Sequence, residues 1–262
     1  DARRSAADWR DQVLDALRIA VKRRMVADVP VGVLLSGGVD SSLVVGLLAE
    51  LGQTGLQTFS VGFEAANQEK GDEFVYSDLI AKHYGTDHHQ IFVPHDRLMQ
   101  SLPGTISAMS EPMVSYDNVG FYLLSQEVAK HIKVVQSGQG ADEVFGGYHW
   151  YPPMVGANDP LAAYSRAFFD RSDETLRRQI SPEWHADSGV SREFVERHFA
   201  MAGATNPVDK ALRVDAHIML VDDPVKRVDN MTMAWGLEAR VPFLDHELVE
   251  LAARIPPELK LK

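Results

Sequence analysis

Val31-Gly32-Val33-Leu34-Leu35-Ser36-Gly37-Gly38-Val39-Asp40-Ser41-Ser42 decides how this chain folds. A short apolar run, bounded by Pro30, ends in a double glycine, and an apolar helix follows over residues 43–51 with Gly52 to close it. Strand, glycine-rich turn and helix point bare backbone N–H groups and a positive helix end at an anion. Paired glycines let the main chain approach phosphate closely, and serine hydroxyls add donors. Asp40 stands at the helix start, where a carboxylate beside phosphate makes sense as a Mg²⁺ ligand. A plain strand-to-helix turn with a Ser/Asp cap is the blander reading of the same residues.

No lysine follows the glycines, so this is not the GxxxxGK[ST] loop, and it is not GxGxxG either. A second loop of the same kind, Ser137-Gly138-Gln139-Gly140-Ala141-Asp142-Glu143, follows a second apolar run at 132–136. Further strands are expected at 57–63 and 88–93, and helices at 8–27, 73–84 and 119–131. Short strands alternating with helices imply an α/β fold built on an open parallel sheet flanked by helices. Ligands bind such sheets beyond the carboxyl ends of the strands, where strand order reverses. Two Ser-Gly loops, each followed by an aspartate, can face one nucleotide, with Asp40 and Asp142 sharing one Mg²⁺. The pattern changes after Trp150, and three parts are expected: a nucleotide-binding core at 1–149, a helical insertion or lid at 150–214, and a helical part at 215–262. In the last, 240–245 reads as a loop and 246–255 as a helix stopped by Pro256-Pro257.

The 262 residues carry a net charge of −11, which argues against nucleic acid or an anionic membrane as partner. No apolar run is long enough to span a bilayer, and no signal-peptide pattern opens the chain. There is no cysteine, hence no disulfide, thiolate site or thiol nucleophile, which is compatible with a cytoplasmic location. Asp1 in place of methionine and the bare end at Leu261-Lys262 lead us to expect a fragment.

Ser-Gly-Gly-x-Asp-Ser resembles the pyrophosphate loop of the ATP pyrophosphatases, the adenine nucleotide alpha hydrolase-like enzymes that cleave ATP between its α- and β-phosphates. Adding Phe59-Ser60-Val61-Gly62-Phe63, the second loop with Gly146-Gly147-Tyr148, and Glu238-Ala239-Arg240-Val241-Pro242-Phe243-Leu244-Asp245, all in order, the chain resembles the synthetase domain of glutamine-dependent asparagine synthetases. The resemblance implies a carbon–nitrogen ligase in which ATP adenylates an acceptor carboxylate and ammonia then displaces AMP to leave an amide. It implies ATP and Mg²⁺ as cofactors, a small carboxylate acceptor, and ammonia from a glutaminase domain ahead of Asp1; a homodimer is left open. Residue by residue, Leu34 and Val61 match adenosine contacts and Ser137 and Gly138 match AMP contacts. Ser36, Gly37, Gly38, Ser41 and Ser42 match the pyrophosphate cradle, and Asp40 and Asp142 the Mg²⁺ carboxylates. Lys226 falls where the family places a basic residue facing the phosphates; on its own it reads equally as a helix-surface lysine.

Two departures bear on the acceptor. Gln139 stands where many members carry an acidic residue, and glutamine orients by hydrogen bonds but takes no proton. In Glu111-Pro112-Met113-Val114-Ser115-Tyr116-Asp117-Asn118, Ser115 replaces the usual aspartate, so Ser115, Tyr116 and Gln139 are the candidate acceptor residues. The wording of this segment and of 137–153 is closer to the branch that amidates N-acetylglutaminylglutamine. A ligase closing a β-lactam and a non-catalytic nucleotide-binding module are the alternatives. His88, His89 and His95 invite a metal, but strand neighbours point to opposite faces. Met231 and Met233 read as core filling, Trp150-Tyr151-Pro152-Pro153 as a packed hinge, and Asp222-Asp223-Pro224 as the start of a helix.

Overall fold

The computed structural model describes residues 4–64, 74–113, 115, 117–187 and 189–261. The chain divides into two compact units: residues 1–141 with 221–252, and residues 142–220 with 253–262.

In the first unit, α1 (Ala6–Arg23) starts on a reciprocal cap in which Asp8 N–H donates to Ser5 Oγ and Ser5 N–H donates to the Asp8 carboxylate. There follow β1 (Val31–Leu34), α2 (Val39–Glu50), β2 (Gln57–Phe63), α3 (Phe74–Tyr84), β3 (Asp87–Val93), α4 (His95–Ala108), α5 (Asn118–Val128) and β4 (Val134–Gln136). The five-stranded sheet has the order β3-β2-β1-β4-β5, with β5 at Glu238–Arg240, and every pairing is parallel. β1 and β4 are buried at every position, as central strands covered on both faces must be. Past its first turn α2 is mostly apolar because it packs into this core: Val44, Val45, Leu47 and Leu48 are buried, each contributing about 1.5–3 kcal/mol. Leu34, Phe59, Leu124, Val128, Val135 and Leu237 form one cluster beside the sheet.

The sequence reading misses two elements. α4, which contains Pro103, lies where no element is expected, and β5 ends on Arg240, the first residue of the stretch that reads as loop. β5 is nevertheless fixed, because it pairs with β4 from Val134↔Glu238 to Gln136↔Arg240. The expected helix at 73–84 is α3, and Glu73 lies outside the described residues. Met231 is fully buried as expected, whereas Met233 is 55% exposed and fills no core.

The second unit comprises α6 (Ala141–Phe145, whose first residue belongs to the first unit), α7 (Pro160–Phe168), α8 (Asp173–Gln179), α9 (Val190–Ala200), α10 (Pro207–Val214) and, after the chain's passage through α11 (Lys226–Met233) and α12 (His246–Ala252) of the first unit, α13 (Pro257–Lys260). Its core gathers Tyr151, Met154, Tyr164, Val195, Phe199 and Leu212. Trp150 and Tyr151 are therefore packing residues of this unit. At its centre the buried Asp215 accepts hydrogen bonds from Trp150 Nε1 (2.9 Å), Tyr151 Oη (2.7 Å) and Tyr164 Oη. Among the described residues no helix is long and apolar enough to cross a membrane.

Candidate nucleotide site

Strand order reverses between β1 and β4, and each of these neighbours ends in one of the two glycine loops. Leu35 N–H donates to Phe59 O (2.7 Å) and Ser137 N–H to Arg240 O (2.8 Å), so each loop leaves the sheet only after one more ladder bond. Gly37 has φ +86°, and a Cβ there would lie 2.5 Å from Tyr76 Cβ; only glycine fits this bend. Gly38 begins α2 with no side-chain cap, leaving the first-turn N–H groups directed at the loop. Ser36 Oγ accepts from Gly38 N–H (3.2 Å) and lies 3.0 Å from Ser41 Oγ, which ties the turn closed. Ser42 Oγ is buried without a hydrogen-bond partner among the described residues.

The second loop comes directly against the first. A Cβ at Gly138 would stand 2.9 Å from Ser41 N and 3.0 Å from Asp40 Cβ, so the two loops touch there through bare backbone. Gly140 (φ +89°) is pressed in the same way by Leu244, from the Pro242-Phe243-Leu244-Asp245 segment. That segment is itself pinned to α1: Arg24 Nη1 lies 2.6 Å from Asp245, with Arg23 at 3.2 Å. The basic end of α1 thus braces the segment behind the second loop.

The adenosine candidates also meet. Leu34 pairs with Phe59 across β1 and β2, and Val61 packs against the same cluster. Asp142 belongs to the second unit, where burial raises its carboxyl above the usual aspartate range. Gly147 closes over it: a Cβ on Gly147 would fall 1.8 Å from Asp142 Oδ1. Ser137 is buried, while Gly138 and Gln139 are half-buried. Tyr116 lies outside the described residues.

Lys226 pairs with Glu111 and with Asp222 (3.1 Å), and both bonds raise its pKa. Its neighbour Arg227, which the sequence reading passes over, is the more enclosed. Arg227 Nη1 donates to Ser115 Oγ (2.7 Å) and Asp223 Oδ1 (3.0 Å). The guanidinium also lies 3.4 Å from Asp117 and 5.3 Å from the Phe121 ring centroid. The only sequence signal for it is the Asp223-x-x-x-Arg227 spacing. The histidines separate as alternation requires. His88 bonds Thr58 Oγ1 (2.8 Å) and Ser60 Oγ, His89 stacks on Phe59, and His95 faces Glu64. Among the described residues no three His, Cys, Asp or Glu side chains form a metal-binding group. Mg²⁺ requires no such group, since it is commonly held by one or two carboxylates and completed by phosphate oxygens and water.

The sequence profile of the asparagine synthase family matches residues 12–262. Asparagine synthetase [glutamine-hydrolyzing] 1 of Bacillus subtilis is 30% identical, over 96% of this chain and 44% of that protein. Asparagine synthetase B [glutamine-hydrolyzing] of Escherichia coli is 28% identical, over the whole chain and 40% of its own length. The asparagine synthetase [glutamine-hydrolyzing] of Rattus norvegicus is also 28% identical, over 92% of this chain and 35% of its own. The chain thus spans less than half the length of these relatives.

Proposed function

Because the chain belongs to the asparagine synthase family, we propose that it is the ATP-dependent, AMP-forming synthetase part of a glutamine-dependent amidotransferase. The observation that carries this reading is the meeting of the β1 and β4 loops, glycine against Asp40-Ser41, where strand order reverses. An acceptor carboxylate oxygen attacks the α-phosphorus of ATP and pyrophosphate leaves. Ammonia from glutamine then attacks the acyl carbon, loses a proton, and AMP departs with the C–O bond.

In this scheme Ser36, Gly37, Gly38, Ser41 and Ser42 hold pyrophosphate through backbone N–H groups and hydroxyls. These donors stabilise the charge growing on the leaving group, and they are in place before reaction. Leu34 and Val61 take the adenosine, and Ser137 and Gly138 the AMP moiety. Asp40 and Asp142 are the proposed Mg²⁺ carboxylates; the ion would neutralise charge on phosphate oxygens. Lys226 is assigned to the phosphates, and Gln139, Ser115 and Tyr116 to the acceptor. The acceptor itself is aspartate-like or N-acetylglutaminylglutamine, with Ser115 and Gln139 favouring the latter. In the same scheme residues 1–149 are the nucleotide-binding core, 150–214 a helical insertion or lid, and 215–262 the C-terminal helical part. The test is acceptor-dependent ATP–pyrophosphate exchange by the natural full-length protein, followed by product analysis with glutamine and with ammonia. Exchange with a carboxylate and an amide product supports the reading; no exchange with any carboxylate refutes it, and exchange without need of ammonia favours an internal-amine ligase.

A further inference from the structure

Consecutive residues on α11 grip the two ends of one short segment. Lys226 holds Glu111, at its start, while Arg227 holds Ser115 and Asp117, at its end and at the cap of α5. Each cation is braced from four residues earlier, Lys226 by Asp222 and Arg227 by Asp223. The braces lie on a π-helical turn, Val221–Val225, that directly precedes α11. Such wide turns shift the phase of a helix, and here the shift accompanies two successive cations that both serve segment 111–117. The grips are unequal. Arg227 has a side chain only 9% exposed, with a planar guanidinium that reaches Ser115, Asp117 and Asp223 and lies against Phe121.

We infer that Arg227 is the positioning residue for the acceptor: it fixes the hydroxyl of Ser115, and thereby sets affinity for the carboxylate substrate without touching ATP. The inference rests on the proposed function, since it takes Ser115 as an acceptor contact. Arg227 is committed to this segment by its own bonds, whereas Lys226 holds only the segment's exposed start. A lysine at 227 would keep the charge but reach fewer of these partners, because an ammonium cannot fork.

The test is steady-state ATP–pyrophosphate exchange in the natural full-length protein with Arg227→Gln and Arg227→Lys. We expect R227Q to raise the acceptor KM by about tenfold or more while the ATP KM stays within about twofold, and R227K to recover part of the loss. Hydrogen exchange of the backbone amides in 117–121 should quicken in R227Q while those in 31–42 hold. If the ATP and acceptor KM rise together, or kcat alone falls, the inference is overturned and Arg227 serves the phosphates instead. Should R227Q fail to fold, the same ratio of KM changes in R227K decides the matter. A wild-type protein that exchanges with no carboxylate refutes the functional reading itself, and the inference with it.

Discussion

Asp40 in the first unit and Asp215 in the second are both helix-borne aspartates, yet their surroundings differ in kind. Asp215 is wholly buried, and two tyrosine hydroxyls and an indole N–H converge on it. Asp40 is half-buried on an uncapped first turn, beside a glycine of the second loop that has no side chain to cover it. A carboxylate at the centre of a buried core holds packing together; Asp40 stands instead where the neighbouring loop brings bare backbone against it. The difference teaches that the first unit places a glycine where its two loops meet, whereas the second packs aromatic side chains around its aspartate.

The largest effect should come from removing the buried carboxylate. Asp215→Ala strands up to three buried donors and should cost about 3–5 kcal/mol, read by chemical denaturation. A loss near zero would mean that water replaces the carboxylate and that the second unit does not depend on it. Crowding the junction of the two loops should act chiefly on chemistry. Gly138→Val presses a side chain on the backbone of Asp40 and Ser41 and should lower pyrophosphate exchange about 100-fold, a larger effect than the drop in melting temperature as the two loops are forced apart. An active Gly138→Val protein would break the contrast between the units.

A smaller effect concerns pH. Burial pushes Asp215 above the ordinary aspartate value of 3.8, despite its bonds from Tyr164, Tyr151 and Trp150. Its contribution to stability is therefore full below 3.8 and declines as pH rises through the raised folded value. At Asp245 burial also pushes upward, but Arg24 and Arg23 outweigh it and the net shift is down. Asp245 therefore contributes above 3.8, and that contribution is lost as pH falls through the lowered folded value. Denaturation followed across pH should show Asp215→Asn flattening the decline on the higher side and Asp245→Asn the loss on the acid side. The same slope change from both variants would erase the distinction.

How much of this was legible beforehand follows from burial and period. Strands expected at 57–63 and 88–93 lie at Gln57–Phe63 and Asp87–Val93, because short β-rich runs between breakers admit little else. The first loop was legible because apolar strand, double glycine and serine cap coincide within a dozen residues. β5 was not, since Glu238-Ala239-Arg240 carries two charges and becomes strand only by pairing with β4. α4 was hidden by Pro103, which the helix nonetheless contains. Arg227 was missed for a subtler reason: π-helical turns at Asp215–Met219 and Val221–Val225 break the 3.6-residue count that would have told its face from that of Lys226. The bracing of Asp245 by Arg23 and Arg24 spans more than 200 residues of sequence, and no local pattern announces it.

The central claim is that the two loops of the first unit form an ATP site, and Asp40→Asn tests it most directly. In the full-length protein, acceptor-dependent exchange of pyrophosphate into ATP should fall by about 100-fold or more, far beyond what a loss of about 1 kcal/mol in unfolding stability would cause. Exchange at the wild-type rate in Asp40→Asn would contradict the account.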